Sequence, residues 1–297
     1  MKRKHFALIL SLAILLTVTS AFAQPSQTMY TFQTVNYPND TFTQLLGING
    51  SGDIAGYHGF AVNQGFTYNM TTQKFTTENF PKSGMTQVIG INNEPFKTAG
   101  FFVTPGGKTE GFTDYLGKFT AVNFPKTPFN QLLSQNDHGQ AAGYYSTKAD
   151  GSGPDHAYVV DEFGLVFELF QIPGSVSAQA TGINNSEVVC GFTIDSQGNM
   201  HGWMKSFGTY TQLDYPGSTG TQALGLNNNG LVVGSYTDAN GSHGFVYNTG
   251  DASWQSIDDP NGVGTTVVNG INDKGTLVGF YGTNPDNSGF IATPAQP

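Results

Sequence analysis

A ten- or eleven-residue segment recurs six times in this chain, and it constrains the fold more than any other feature. Its form is Gly-Ile-Asn-Asn-x-Gly-x-Val-Val-Gly. The copies lie at Gly47–Gly56, Gly90–Gly100, Ser134–Gly143, Gly182–Gly191, Gly225–Gly234 and Gly270–Gly279. Their first positions are 43, 44, 48, 43 and 45 residues apart. A fixed period of this length marks units that stack on one another, each too small to bury its own apolar face.

The fifth copy shows the unit most clearly. Residues 221–226 and 231–236 read as two strands joined by the turn Asn227-Asn228-Asn229-Gly230. Residues 243–247 form a third strand and 253–257 a fourth, stopped by Pro260. No helical period occurs after the leader. Four short antiparallel strands per period predict an all-β, six-bladed β-propeller with four strands per blade. The glycines that open the motif fall on the innermost strand, where backbones crowd. The chain ends fit a ring. A fourth-type strand opens the chain at 31–37 and a third-type strand, Ser288–Ala292, closes it. Pairing the two would leave no open edge in the last blade.

The motif, followed by a loop and then His-Gly/Ala-Phe, resembles the bacterial extracellular repeats called the HAF family. The triplet reads His156-Ala157-Tyr158, His201-Gly202-Trp203 and His243-Gly244-Phe245, and elsewhere keeps only Gly-Phe. The resemblance implies an exported repeat protein. It brings no catalytic residue and no cofactor.

Residues 1–23 read as a signal peptide: Lys2, Arg3 and Lys4, then an apolar run, then Ala21-Phe22-Ala23. Residues 24–297 are expected to be a single propeller domain, secreted or periplasmic and monomeric, with no membrane span. Without the leader, 9 basic residues face 21 acidic ones, a net charge of about −12. That argues against nucleic acid as a partner. Charged residues are only 11% of the chain, so Asn, Gln, Thr, Ser and Gly must supply the polar surface. Cys190 is the only cysteine, expected as a small buried thiol.

Two sets of residues are the candidate ligand-binding site. Gln44, Gln87, Gln131, Gln179 and Gln222 each precede the motif glycine by three positions, with Val267 in the sixth copy. They are expected to ring the channel mouth, either as a collar for a ligand or as ties between blades. Tyr57, Phe102, Tyr145, Tyr236 and Tyr281 stand where the second strands enter the variable loops, near Asp195 and Asp238. Aromatic faces beside Asn and Asp suit a sugar ring. The competing expectation is that these rings pack between blades. His156, His201 and His243 are expected to bond backbone within their own blades, too far apart to share a metal. Asp238–Gly241 and Lys148–Gly151 lack the full calcium-loop spacing and read as Asx turns. No catalytic residue, metal ligand or cofactor is expected.

The sequence therefore reads as a secreted, non-catalytic binding module for a glycan or cell-surface polymer, engaged through the loop-rich face. The alternatives are a polysaccharide hydrolase or lyase using loop carboxylates such as Asp150, Asp155, Asp195, Asp238 and Asp286, or a platform for an envelope protein. The third copy, with Ser134-Gln135 in place of Gly-Ile and a long loop at 146–155, is the copy expected to be specialised.

Overall fold

The computed structural model describes residues 27–93, 97–161 and 163–295. The signal-peptide segment lies outside them. Every regular element among the described residues is a strand. The chain opens with β1 (Tyr30–Thr34). Copy one supplies β2 (Thr43–Ile48), β3 (Asp53–His58), β4 (Gln64–Asn69) and β5 (Lys74–Thr77). Copy two supplies β6 (Met85–Ile91), β7 (Lys97–Val103), β8 (Thr109–Tyr115) and β9 (Lys118–Ala121). Copy three supplies β10 (Phe129–Gln135), β11 (Ala141–Ser146), β12 (Asp155–Val160) and β13 (Phe167–Leu169). Copy four follows as β14 (Ser175–Ile183), β15 (Val189–Asp195), β16 (Met200–Ser206) and β17 (Thr209–Leu213). Copy five is β18 (Gly220–Leu226), β19 (Leu231–Asp238), β20 (Gly241–Asn248) and β21 (Ser253–Ile257). Copy six is β22 (Val267–Ile271), β23 (Leu277–Thr283) and β24 (Asp286–Pro294).

These strands build an all-β propeller, but not the six separate four-stranded blades expected from the repeats. Four sheets have four strands: β1-β24-β23-β22, β2 to β5, β14 to β17 and β18 to β21. The other eight strands form one sheet, because β8 pairs in parallel with β10, Thr109 opposite Phe129. The third strand of a copy lies against the start of the next copy's first strand. At two other seams that approach stays an isolated bridge, Ser242 with Thr265 and Phe42 with Asn287. Between copies two and three it reaches ladder geometry and merges the sheets.

The first strand pairs antiparallel with the last, from Tyr30 opposite Pro294 to Thr34 opposite Phe290. Apolar clusters sit between neighbouring copies; Leu45 and Phe66 of copy one pack with Val278 and Ile291 of copy six. The motif glycines are where backbones crowd most. A Cβ on Gly90 would lie 2.8 Å from Ser134 Cα, and one on Gly47 would lie 2.4 Å from Ile89 O. Only glycine fits there.

The first Asn of each motif explains the turn. Asn184 Oδ1 accepts from the backbone N–H groups of Ser186 and Val188, which shapes its own turn. Its Nδ2 donates to Asn227 O in the next copy at 3.1 Å. The same donor runs from Asn49 to Asn92 O, from Asn92 to Asn136 O and from Asn136 to Asn184 O. It continues from Asn227 to Asn272 O and from Asn272 back to Asn49 O. Six buried amides thus close a circle about the axis. A second circle of turn residues, Asn93, Asp137, Asn185, Asn228 and Asp273, accepts backbone N–H groups in the same sense. It breaks at Gly50, which has no side chain to accept with.

Candidate functional site

The innermost strands enclose a central cavity of about 440 Å³. Its walls follow from strand alternation, which sends every second side chain to the axis. The upper tier is Gln44, Gln87, Gln131 and Gln179. Below it come Leu46, Ile89, Leu133, Thr181, Leu224 and Asn269. Each of these six is skipped by the ladder between first and second strand, so each copy carries a β-bulge at the residue before its glycine position. The lowest tier is Ile48, Ile91, Gln135, Ile183, Leu226 and Ile271. Beneath it a narrower space of about 70 Å³ is bounded by the asparagine circle with Asp137 and Asp273.

Glutamines from four copies therefore line the cavity as expected of a collar, and Gln222 does not. Two of them also tie copies together: Gln87 Nε2 donates to Asn63 Oδ1 at 2.7 Å, and Gln179 Nε2 to Asp155 Oδ2 at 2.7 Å. The others are held within their own copies. Tyr57 Oη donates to Gln44 Oε1 at 2.6 Å, Tyr144 Oη to Gln131 Oε1 at 2.9 Å, and Ser235 Oγ to Gln222 Oε1 at 3.4 Å.

The aromatic set divides. Tyr57 lines the cavity, joined by Phe101 and Phe192, which the sequence reading missed. Counting from the glycine that opens the second-strand pair finds them. Tyr57, Phe101, Tyr144 and Phe192 follow Gly56, Gly100, Gly143 and Gly191 by one position, whereas Phe102, Tyr145, Tyr236 and Tyr281 stand two positions after theirs. A one-residue offset puts a strand side chain on the other face. Those other-face rings are packing residues, as the competing expectation had it. Phe102 stacks on Phe80 at 3.6 Å, Tyr236 on Tyr215 at 3.7 Å and Tyr145 on Phe124 at 4.4 Å. In copy one the pair is Tyr37 on His58, at 3.5 Å. Tyr281 is half-buried, its hydroxyl 3.1 Å from Thr34 Oγ1.

His201 and His243 bond carboxylates rather than backbone, which corrects the sequence expectation for these two. His201 has Asp214 at 3.0 Å and Asp195 at 3.6 Å. His243 has Asp258 at 3.0 Å and Asp238 at 3.3 Å. His156 lies against Tyr145, ring centroids 4.8 Å apart. Burial pulls the His201 imidazole down, but Asp214 and Asp195 outweigh it and leave the pKa raised. Asp195 is lowered to about 2, chiefly by Asn199, whose side chain and backbone N–H both donate to it. Asp238 and Asp150 accept from Asn240 and Ser152 backbone N–H groups, the Asx turns expected. Among the described residues, no group of three or more His, Cys, Asp or Glu side chains could hold a metal ion. Cys190 is fully buried, and burial pushes its thiol up to about 12.

Among the described residues, the cavity walls carry no Asp, Glu, His, Lys, Arg or Cys. Tyr57 is their only titratable group, and burial raises its pKa. Such a space offers amide donors and acceptors above an aliphatic floor. It suits a neutral ligand and supplies no general acid or base near pH 7.

No family model matches the chain, and no curated protein matches it. Solved structures do. TolB from Acinetobacter baumannii matches with a TM-score of 0.56 at 10% identity, over 72% of this chain and 54% of its own. This chain thus spans about half the length of that protein. AofleA from Arthrobotrys oligospora matches with a TM-score of 0.54 at 11% identity, over 91% of this chain and 88% of its own. A chain of a nidogen/laminin complex matches with a TM-score of 0.51 at 9% identity, over 77% of this chain and 84% of its own. At such identities the likeness is one of fold: the chain folds as an all-β propeller.

Proposed function

We propose that this protein is an exported, non-catalytic binding module that takes a neutral, hydroxyl-bearing ligand, the end of a glycan or cell-surface polymer, through the face that carries the glutamine tier. The observation that supports this reading is the composition of the cavity wall. Amides and aromatic rings crowd its mouth, and ionised groups are missing from it. Its volume, about 440 Å³, falls within the ~300–1,000 Å³ typical of small-molecule sites. The resemblance to HAF repeats and the basic-apolar leader support export.

A hydrolase or lyase built on loop carboxylates is the weaker reading. Asp195 is held ionised by Asn199 and His201, so it cannot serve as the proton donor that glycosidic cleavage needs. Screening on a glycan array, followed by calorimetry, tests the proposal. Wild type should bind at least one neutral glycan, and Leu133→Trp, which narrows the cavity, should weaken that binding at least tenfold. Turnover of a polysaccharide by wild type, lost in Asp195→Asn, would overturn the non-catalytic reading. Capture of an envelope protein with no glycan hit would favour the interaction platform.

A further inference from the structure

Copy four departs from the others at three positions that meet at one place. Before each copy, the residue preceding a proline enters from the linker. In copies one, two, three and five it is Tyr37, Phe80, Phe124 and Tyr215, each stacked on the ring of a second-strand residue. In copy four the linker residue is Ile172 and the second-strand residue is Thr193, so both rings are missing. The third change is the tether. The linker N–H donates to Thr43, Thr86, Asn130, Thr221 and Thr266 in the other five copies. Ala178 stands at that position in copy four and has nothing to accept with.

Where the stacked pair would lie there is a pocket of about 380 Å³. Ile172, Pro173, Trp203 and Tyr210 form an apolar wall; Asp195, His201, Thr211 and Gln212 bring polar groups to it. It opens at the end of the sheet where first strands begin, the same face as the glutamine tier. Copy five carries the same His between two Asp residues, but there the Tyr215–Tyr236 stack fills the space and the His243 side chain is 8% exposed, against 29% for His201. Asp195 Oδ2 accepts from Asn199 Nδ2 at 2.9 Å and lies 3.6 Å from His201 Nε2, longer than a hydrogen bond, so Nε2 and the remaining lone pairs of the carboxylate are what a ligand could engage. Trp203 is 2% exposed, yet its Nε1–H has no hydrogen-bond partner. Its ring contributes to the pocket wall, while Nε1 itself is shielded from solvent.

We propose that this pocket in copy four is a second binding subsite, which admits one hydroxylated six-membered ring where copies one, two, three and five place their stacked side chains. The apolar wall faces the C–H surface of the ring; Asp195, His201 and Gln212 bond its hydroxyls. The ligand class rests on the glycan reading above, whereas the location rests on copy four alone. The copy expected from sequence to be specialised, the third, keeps its Phe124–Tyr145 stack.

The indole N–H of Trp203 gives a site-specific reporter, since Trp254 is the only other tryptophan and can be removed as Trp254→Phe. The methyl pyranosides of glucose, galactose and mannose are titrated in turn, with binding read by calorimetry and by the indole signal. At least one should bind wild type and shift the Trp203 resonance to saturation. Ile172→Tyr, Ala178→Thr and Thr193→Tyr together, which rebuild the copy-five stack, should reduce affinity at least tenfold and abolish the shift. Gln212→Ala and Asp195→Asn, which leave the packing and the Asx turn in place, should each weaken binding about three- to tenfold. Glycoside binding with no movement of the Trp203 signal, or with unchanged affinity in Gln212→Ala and Asp195→Asn, overturns the subsite and leaves the glycan reading standing. Failure of all three glycosides to bind wild type overturns both.

Discussion

Asn272 donates from Nδ2 to the carbonyl oxygen of Asn49 at 3.0 Å, across 223 residues of sequence. That bond returns the asparagine circle to its start, and its donor is also a turn former, with Oδ1 accepting from Lys274 and Thr276 backbone N–H groups at 3.0 Å each. Asn272→Ala removes all three bonds from a buried place and is expected to cost about 2–4 kcal/mol. Asn272→Asp keeps the acceptors but turns a buried carboxylate oxygen toward Asn49 O, so it should cost at least as much as alanine. Urea unfolding followed by tryptophan fluorescence checks the order.

The stacked pairs carry a different kind of stability. Phe80 packs on Phe102 and edge-on to Phe119. Phe80→Ala should cost about 3–5 kcal/mol through lost burial and the cavity left behind. Ile172→Ala, at the equivalent place in copy four, should cost no more than about 2 kcal/mol, because a pocket already borders it. Equal losses would contradict the packing described.

How much of this was legible beforehand differs by residue. The strand ranges of copy five and the glutamine tier follow from period-two patterning, which any single copy displays. The asparagine circle does not, because each donor and acceptor lie 43 or more residues apart and no local window contains both. In the turn Asn227–Gly230 only Gly230 takes a positive φ, at 80°. Phe101 and Phe192 were hidden by an offset of one residue, and the merged sheet of copies two and three depends on how closely Thr109 approaches Phe129. The carboxylate partners of His201 and His243 come from the ends of other strands, which spacing along the third strand does not reveal.

Glu78 makes stability depend on pH. Burial pushes its carboxyl up to about 7, and Asp114 adds to the rise against a hydrogen bond from Thr98 Oγ1. The folded state therefore holds this proton more tightly than the unfolded state, whose value is near 4.5. Stability from this group falls as pH rises from about 4.5 to 7 and stays lower above that. Glu78→Gln should flatten the profile and raise stability at pH 8 by about 1–3 kcal/mol, read from thermal or urea unfolding at several pH values.

His201 shifts the opposite way with respect to charge. Its raised pKa means that the folded state favours imidazolium, so its contribution is complete below about 6.5 and is lost as pH climbs through the folded value. An NMR titration should find His201 titrating above 6.5, and Asp214→Asn should bring it down. An unshifted His201 would show that the carboxylate contacts are weaker than their distances indicate.

The seam between β1 and β24 can be tested by truncation. Removing residues through Thr34 strips the partner from Phe290–Pro294 and exposes an unpaired edge. The shortened chain should melt at least 10 °C lower, by the scaling typical of domains this size, and should associate as concentration rises.

Because Tyr30 meets Pro294, the molecule cannot be finished in the order in which it is made. During synthesis the opening strand waits, without a neighbour, until some 250 further residues have emerged. A product halted anywhere before β24 is left with two sticky flanks rather than one sealed ring, which makes the last hairpin the checkpoint for release of a well-behaved protein.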